Sequence, residues 1–207
     1  MISSSSQTSV SDIERLLIEN QIRTVLTAYC HGLDRKDWDL VRRCYHENAH
    51  DSHGTFSGSV DEMLTWMHGN HEHVTSSLHV LTNVSVWLAD DGKSARSESY
   101  CLSMKRVESA KRDAFMGSAA SDEPVHRTVA CRYIDDFDNL DGNGWRIRNR
   151  VVAIEWTRRD DSQSFLPLDE SWVVSRRDRK DVVYATLASS AADSALSPIG
   201  ESDIQFS

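Results

Sequence analysis

Apolar residues in the first third of this chain recur at helical intervals, whereas those in the middle alternate. Ile13, Leu16, Leu17, Ile22, Val25, Leu26 and Tyr29 keep the spacing of one helix face. They predict a single long helix that starts at Ser11-Asp12-Ile13-Glu14 and runs to about Leu33. Gly32 is its stop signal. Asp37 is placed to cap a second, short helix carrying Trp38, Leu40, Val41 and Cys44. A short strand and turn over 49–54 come next, then a third helix over 59–70 with Val60, Met63, Leu64 and Met67 on its apolar face. Strands are expected over 78–88, 94–107, 126–137 and 145–157, with turns at Asp90-Asp91-Gly92 and Asp141-Gly142-Asn143-Gly144. Helices first and strands afterwards make the class α+β. A strongly curved sheet, antiparallel or mixed, wrapped around the long helix would enclose a pocket open at one end.

A chain of 207 residues suits one domain with tails, large enough for a core and an enclosed cavity. Residues 1–10 are Ser-rich and read as a disordered tail. The domain spans 11–157, and the polar stretch 108–124 includes a long loop. Residues 158–207 form a charged, irregular extension whose main apolar patch is Trp172, Val173 and Val174. That extension is expected to pack on a neighbouring subunit or over the pocket mouth.

With 32 acidic and 23 basic residues the formal net charge is -9, which argues against nucleic acid as a partner. The short basic clusters Lys105-Arg106 and Arg176-Arg177 read as solvated faces or subunit contacts. No apolar run is long enough to span a bilayer, and Met1–Gln7 lacks the charged and apolar regions of a signal peptide. The cysteines Cys30, Cys44, Cys101 and Cys131 form no CxxC pair. A cytoplasmic protein with reduced, buried thiols is the expectation.

Asp34 and His79 carry the chemistry. Asp34 stands near a helix C-terminus, where the helix dipole disfavours a negative charge. Asp37 is better placed to cap the next helix, which leaves Asp34 available for another task. His79 has apolar neighbours on both sides in Leu78-His79-Val80-Leu81 and needs a hydrogen-bond partner. That partner is a backbone carbonyl if His79 is a core residue, or a carboxylate if it is a base. A carboxylate would fix the tautomer of the ring and stabilise its charged form.

Arg150 precedes the apolar run Val151, Val152 and Ile154. Pointing inward, it would hold a departing oxygen or halide; pointing outward, it would pair with an acidic neighbour. Tyr29 either donates a hydrogen bond to substrate or packs in the core. It converges with Asp34 only if the helix unwinds near Gly32, because positions five apart do not share a face. His68, His71 and His73 with His50 and His53 invite a metal reading, but no spacing of a known metal motif occurs and no metal is expected. No GxGxxG after a strand, P-loop or GxSxG elbow is present, so no cofactor is expected.

The segment Asp34-Arg35-Lys36-Asp37-Trp38-Asp39-Leu40-Val41-Arg42-Arg43-Cys44, with Leu78-His79 and Gly144-Trp145-Arg146-Ile147, resembles fungal scytalone dehydratase. The stretch from about 12 to 157 resembles the SnoaL-like branch of the NTF2-like superfamily. That group includes scytalone dehydratase, hexachlorocyclohexane dehydrochlorinase and bile acid 7α-dehydratase. The resemblance implies a cone with the active site inside it, and dimers or trimers. It implies that Asp34 and His79 are the catalytic pair and that Arg150 and Tyr29 assist. It places His53 near a strand position where scytalone dehydratase uses a Tyr, with Cys101 in place of that enzyme's second His and about Ala130 in place of its Asn. Tyr45 joins His53 and Cys101 in the expected substrate-binding set.

The expected function is a cofactor-independent lyase acting on a small apolar, aromatic or polycyclic molecule. Water, halide or an aldehyde would leave. The same dyad could shift a double bond, which would make an isomerase. A cone without chemistry, binding an apolar ligand or serving as a dioxygenase-type small subunit, is the remaining alternative.

Overall fold

The computed structural model describes residues 10–108 and 123–184. Helix α1 spans Asp12–Arg35, α2 Trp38–Arg43 and α3 Val60–His71. The strands are β1 Tyr45–His53, β2 Phe56–Ser59, β3 Val74–Leu88, β4 Ser94–Val107, β5 Val125–Asp138 and β6 Arg146–Asp161. They form one open sheet in the order β2-β1-β6-β5-β4-β3. The β1–β6 pairing is parallel and the others antiparallel, so the sheet is mixed. The α+β architecture is the one the sequence predicts.

Ser11 and Glu14 close a reciprocal capping box on α1, and Ser59 and Glu62 do the same on α3. Asp37 accepts the Leu40 N–H at the start of α2. Ile22, Val25, Leu26, Tyr29 and Leu33 of α1 are buried with Met63 and Met67 of α3 and with Cys131, Tyr133, Phe137 and Ile147 of the sheet. Ile13, Leu16 and Leu17 continue the same helical spacing yet are exposed, because nothing among the described residues covers the first turns of α1.

Gly32 does not end α1. The helix stops at Lys36, whose backbone is left-handed (φ 54°). A Cβ on Gly32 would lie 2.7 Å from Val41 Cγ2, so this glycine serves the close packing of α2 on α1. Strands β1, β3 and β6 extend beyond their expected limits. The edge strand β2, reached through a turn with Gly54 at φ 63°, was not anticipated. Most of the expected 108–124 loop, residues 1–9 of the tail and the end of the extension lie outside the described residues.

Part of the extension folds back on its own domain. Arg177 donates to the carbonyls of Leu33, Asp34 and Val74, and Asp181 pairs with Arg35. Trp172 and Val173 are exposed. Among the described residues, no helix is long and apolar enough to cross a membrane.

Candidate active site

The last turn of α1 and the first half of β3 meet edge to edge. Ser77 and His79, two apart on β3, project toward one face, as strand alternation requires. Ser77 Oγ donates to Asp34 Oδ1 at 2.7 Å. The His79 backbone N–H donates to Oδ2 at 2.9 Å, and its ring Nδ1 lies 2.6 Å from Oδ1. Three donors on one carboxylate fix its plane. The negative charge near the helix end is further tolerated because the Arg177 cation donates to the carbonyls of Leu33 and Asp34.

Burial pushes the Asp34 carboxyl upward, but the bonds from His79 and Ser77 outweigh it and hold the group at about 2. Burial pulls His79 below its ordinary value despite the pull of Asp34 in the other direction. At neutral pH the pair is a carboxylate and a neutral imidazole. The short bond to Asp34 puts the ring proton on Nδ1, so Nε2 carries the lone pair. Nε2 faces a cavity, with Ser103 Oγ 3.1 Å away.

His53, Met67, His79, Ser103, Lys105, Arg127, Val129, Cys131, Val152 and Ile154 line this cavity. Cross-strand registry explains the wall. His79 stands opposite Ser103 and Ser77 opposite Lys105, while Lys105 stands opposite Arg127 and Ser103 opposite Val129. The cavity is partly open and its free volume is about 20 Å³, enough for one water. A ligand larger than water therefore enters only if wall side chains move, and Met67 is the most pliable of them.

Four expected site residues lie outside this cavity. Arg150 makes a bidentate bond to Asp135 at 2.7 and 2.8 Å, and neither side chain has any exposure. Its guanidinium sits 4.0 Å from the Tyr29 ring centre and 4.4 Å from that of Tyr133. The leaving-group role expected of Arg150 is corrected: the side chain points inward and pairs with an acidic neighbour there. Tyr29 is corrected too. Helix α1 does not unwind at Gly32, so Tyr29 stays on a face that the aromatic cluster seals. Tyr45 donates to Asp51 at 2.7 Å inside the same cluster. Cys101 is buried against Tyr133 Oη at 3.4 Å, and its cross-strand partner Cys131 is the thiol on the cavity wall. His53 does line the cavity, with Nδ1 3.6 Å from Asp51. On β5 the lining residues are Arg127, Val129 and Cys131, so Ala130 is not where an Asn equivalent would act.

Sequence reasoning missed Ser77, Ser103, Lys105 and Arg127. The expected solvated cluster Lys105-Arg106 is split by alternation: Lys105 is buried beside the dyad, Arg106 pairs outside with Glu108. Arg177, from the other basic cluster, reaches the dyad's backbone. The available signal was parity, since 103 and 105 share a strand face that is opposite His79 and Ser77 once the β3–β4 register is known. His68 and His71 flank the Trp38 ring. Among the described residues, no three His, Cys, Asp or Glu side chains are placed to hold a metal.

A model of the SnoaL-like domain matches residues 14–151. The chain belongs to the SnoaL-like family. No curated protein matches it in sequence. Among solved structures, a protein provisionally assigned as a scytalone dehydratase from Novosphingobium aromaticivorans is 15% identical and superposes with a TM-score of 0.60, covering 72% of this chain and 91% of its own. A type 3 hexachlorocyclohexane dehydrochlorinase from Novosphingobium barchaimii is 14% identical, with a TM-score of 0.61 and coverage of 76% and 100%. A protein of unknown function from Mycobacterium tuberculosis is 18% identical, with a TM-score of 0.52 and coverage of 88% and 92%. At these identities the likeness establishes the SnoaL-like, NTF2-like fold and leaves the reaction to be argued from the site.

Proposed function

We propose that this SnoaL-like protein is a cofactor-independent lyase that eliminates water or a halide from a small, largely apolar carbon substrate. The observation that carries the reading is the 2.6 Å contact between Asp34 and the Nδ1 of a neutral His79 whose other nitrogen faces a cavity. Nε2 removes a proton, and the imidazolium that forms is stabilised by the carboxylate already in place. Ser103 Oγ, within hydrogen-bond reach of Nε2, orients the incoming C–H or O–H. Arg127, a permanent cation on the same wall, takes the role once expected of Arg150 and steadies the charge that develops on the leaving atom. His53 and the apolar wall of Val129, Val152 and Ile154 hold the body of the substrate.

The protein is read as cytoplasmic. It is also read as a homo-oligomer, on the strength of exposed apolar side chains across the sheet, including Leu78, Tyr100, Leu102, Val151 and Trp156. The test is a turnover screen of wild type, Asp34→Asn and His79→Ala against small hydroxylated and halogenated aromatic and alicyclic substrates, followed by mass spectrometry. Loss of a neutral molecule by wild type and by neither variant supports the lyase. Conversion without mass change, abolished in the same variants, makes the dyad an isomerase. Turnover that survives both substitutions removes the dyad from the chemistry.

A further inference from the structure

Cys101 and Cys131 stand directly opposite each other on β4 and β5, and both are buried, free thiols. Opposed residues of an antiparallel ladder project to the same face, with Cα atoms about 4.5–5.5 Å apart, inside the span that a disulfide bridges. The two side chains therefore share the face on which Cys131 lines the cavity. The backbone can yield here. Between Ala130 and Cys131 the β5–β6 register shifts, and Glu155 is left over between their partners Trp156 and Ile154. Such a bulge interrupts the ladder locally and gives Cys131 room to move toward its neighbour.

The other two thiols lack this placement. Cys44 Sγ donates to the Leu40 carbonyl at 3.3 Å, and burial pushes its thiol up to about 12. Burial holds Cys30, on α1, well above the ordinary value. Cys101 and Cys131 titrate as a pair. Their first proton is lost below the ordinary thiol value, because the remaining thiol hydrogen-bonds the thiolate. That same bond, with burial, holds the second proton well above it. The pair can thus carry one negative charge beside the cavity. We propose that Cys101 and Cys131 form a reversible dithiol–disulfide site, oxidised by a hydroperoxide small enough to enter the cavity. In a reducing compartment such a bond is transient and senses oxidant. One same-face step along the ladder, Ser103 stands opposite Val129, and Ser103 is the hydroxyl beside His79 Nε2. Closing the bond therefore acts on the wall that the dyad faces.

The chemistry balances with the peroxide as oxidant. The Cys131 sulfur attacks one peroxide oxygen and the O–O bond breaks. The departing oxygen takes the proton that the thiol gives up, and Cys131 is left as a sulfenic acid. The Cys101 sulfur then attacks the sulfenic sulfur. The S–O bond breaks, hydroxide leaves with the Cys101 proton as water, and an S–S bond remains. Two electrons pass from the sulfurs to the peroxide. A thiol reductant returns both thiols by exchange. The small size of the cavity makes hydrogen peroxide the first probe.

The test exposes the full, reduced chain to hydrogen peroxide with no other substrate present. The protein is then unfolded, its free thiols are alkylated, and the peptides are mapped by mass spectrometry. Two of the four thiols are expected to be lost, joined in a Cys101–Cys131 peptide pair, while Cys30 and Cys44 are still alkylated. Dithiothreitol is expected to return all four. Cumene hydroperoxide, too bulky for the cavity, is expected to leave the four thiols intact over the same time. In Cys101→Ser, oxidation of Cys131 is expected to stop at the sulfenic acid, trapped by dimedone. Wild type that keeps all four thiols, or that joins Cys101 to Cys30 or one chain to another, overturns the site. Equal loss with both peroxides overturns the route through the cavity, and a Cys101→Ser protein without the dimedone adduct overturns Cys131 as the first sulfur. None of these readouts involves elimination, so this inference and the lyase reading fail separately.

Discussion

Asp34 and Asp135 are both buried carboxylates, each gripped by a nitrogen base at 2.6–2.8 Å, yet they belong to different parts of the molecule. Asp135 faces Arg150, whose proton never leaves, under a lid of tyrosine rings. Asp34 faces His79, whose charge can change near neutral pH and whose far nitrogen opens on a cavity. The first pair can only hold; the second can exchange protons. Both carboxylates are buried and hydrogen-bonded, so the capacity for chemistry comes from the partner's titration and from access to its far side.

The largest effect expected from breaking this contrast is on turnover. His79→Ala and Asp34→Asn should each lower kcat by about 10²–10⁴-fold while the fold survives, measured by steady-state kinetics beside circular dichroism. Arg150→Met should do the reverse. Removing one partner of a buried pair costs about 3–5 kcal/mol of stability, read from denaturant unfolding. Changing both partners, Arg150→Met with Asp135→Leu, should recover most of that loss because no charge is left stranded. Smaller is Ser77→Ala, which removes one of three donors to Asp34. A loss of about 1.5–3 kcal/mol is expected for a bond to a charged group, and it should appear in kcat rather than KM.

The smallest effect is a slope against pH. Asp34 is depressed to about 2, so the stability it contributes is complete above its unfolded value near 4 and is lost as pH falls toward 2. His79 and His71 are also depressed in the folded state. A lowered histidine contributes stability that is present above its unfolded value, about 6.5, and lost as pH falls below it. Thermal midpoints should therefore drop on the acid side of about 6.5, and His79→Ala should flatten the upper part of that drop. An unchanged slope in His79→Ala would mean that its ring is not held neutral.

Much of this could be read without coordinates. Spacing located the helices, and alternation located the four long strands within a few residues. The Asp34–His79 pair was legible because each residue breaks a local rule, a carboxylate at the wrong end of a helix and an imidazole in an apolar strand, and because the resemblance to the SnoaL-like group pairs them. Lys105, Arg127 and Ser103 were not legible, because which face of β4 meets His79 depends on a register that only the assembled sheet sets. Arg150 misled for a related reason. An arginine on an apolar strand signals burial, but sequence does not say whether a ligand or Asp135 awaits it. Ile13, Leu16 and Leu17 show that periodicity identifies a helix face without saying whether anything covers it.

Arg177 lies 143 positions after Asp34, whose carbonyl it holds. On the ribosome, α1 and β3 leave the exit tunnel long before this residue does. The early chain can fold its helices and pair its strands, as domains do when the N-terminal part emerges first. The carbonyl of Asp34 nevertheless waits for its Arg177 donor until nearly the whole described chain has been made. The dyad is therefore assembled early and locked late. A protein shortened to the matched family segment would keep Asp34 and His79 while losing the clasp that holds the backbone of the first.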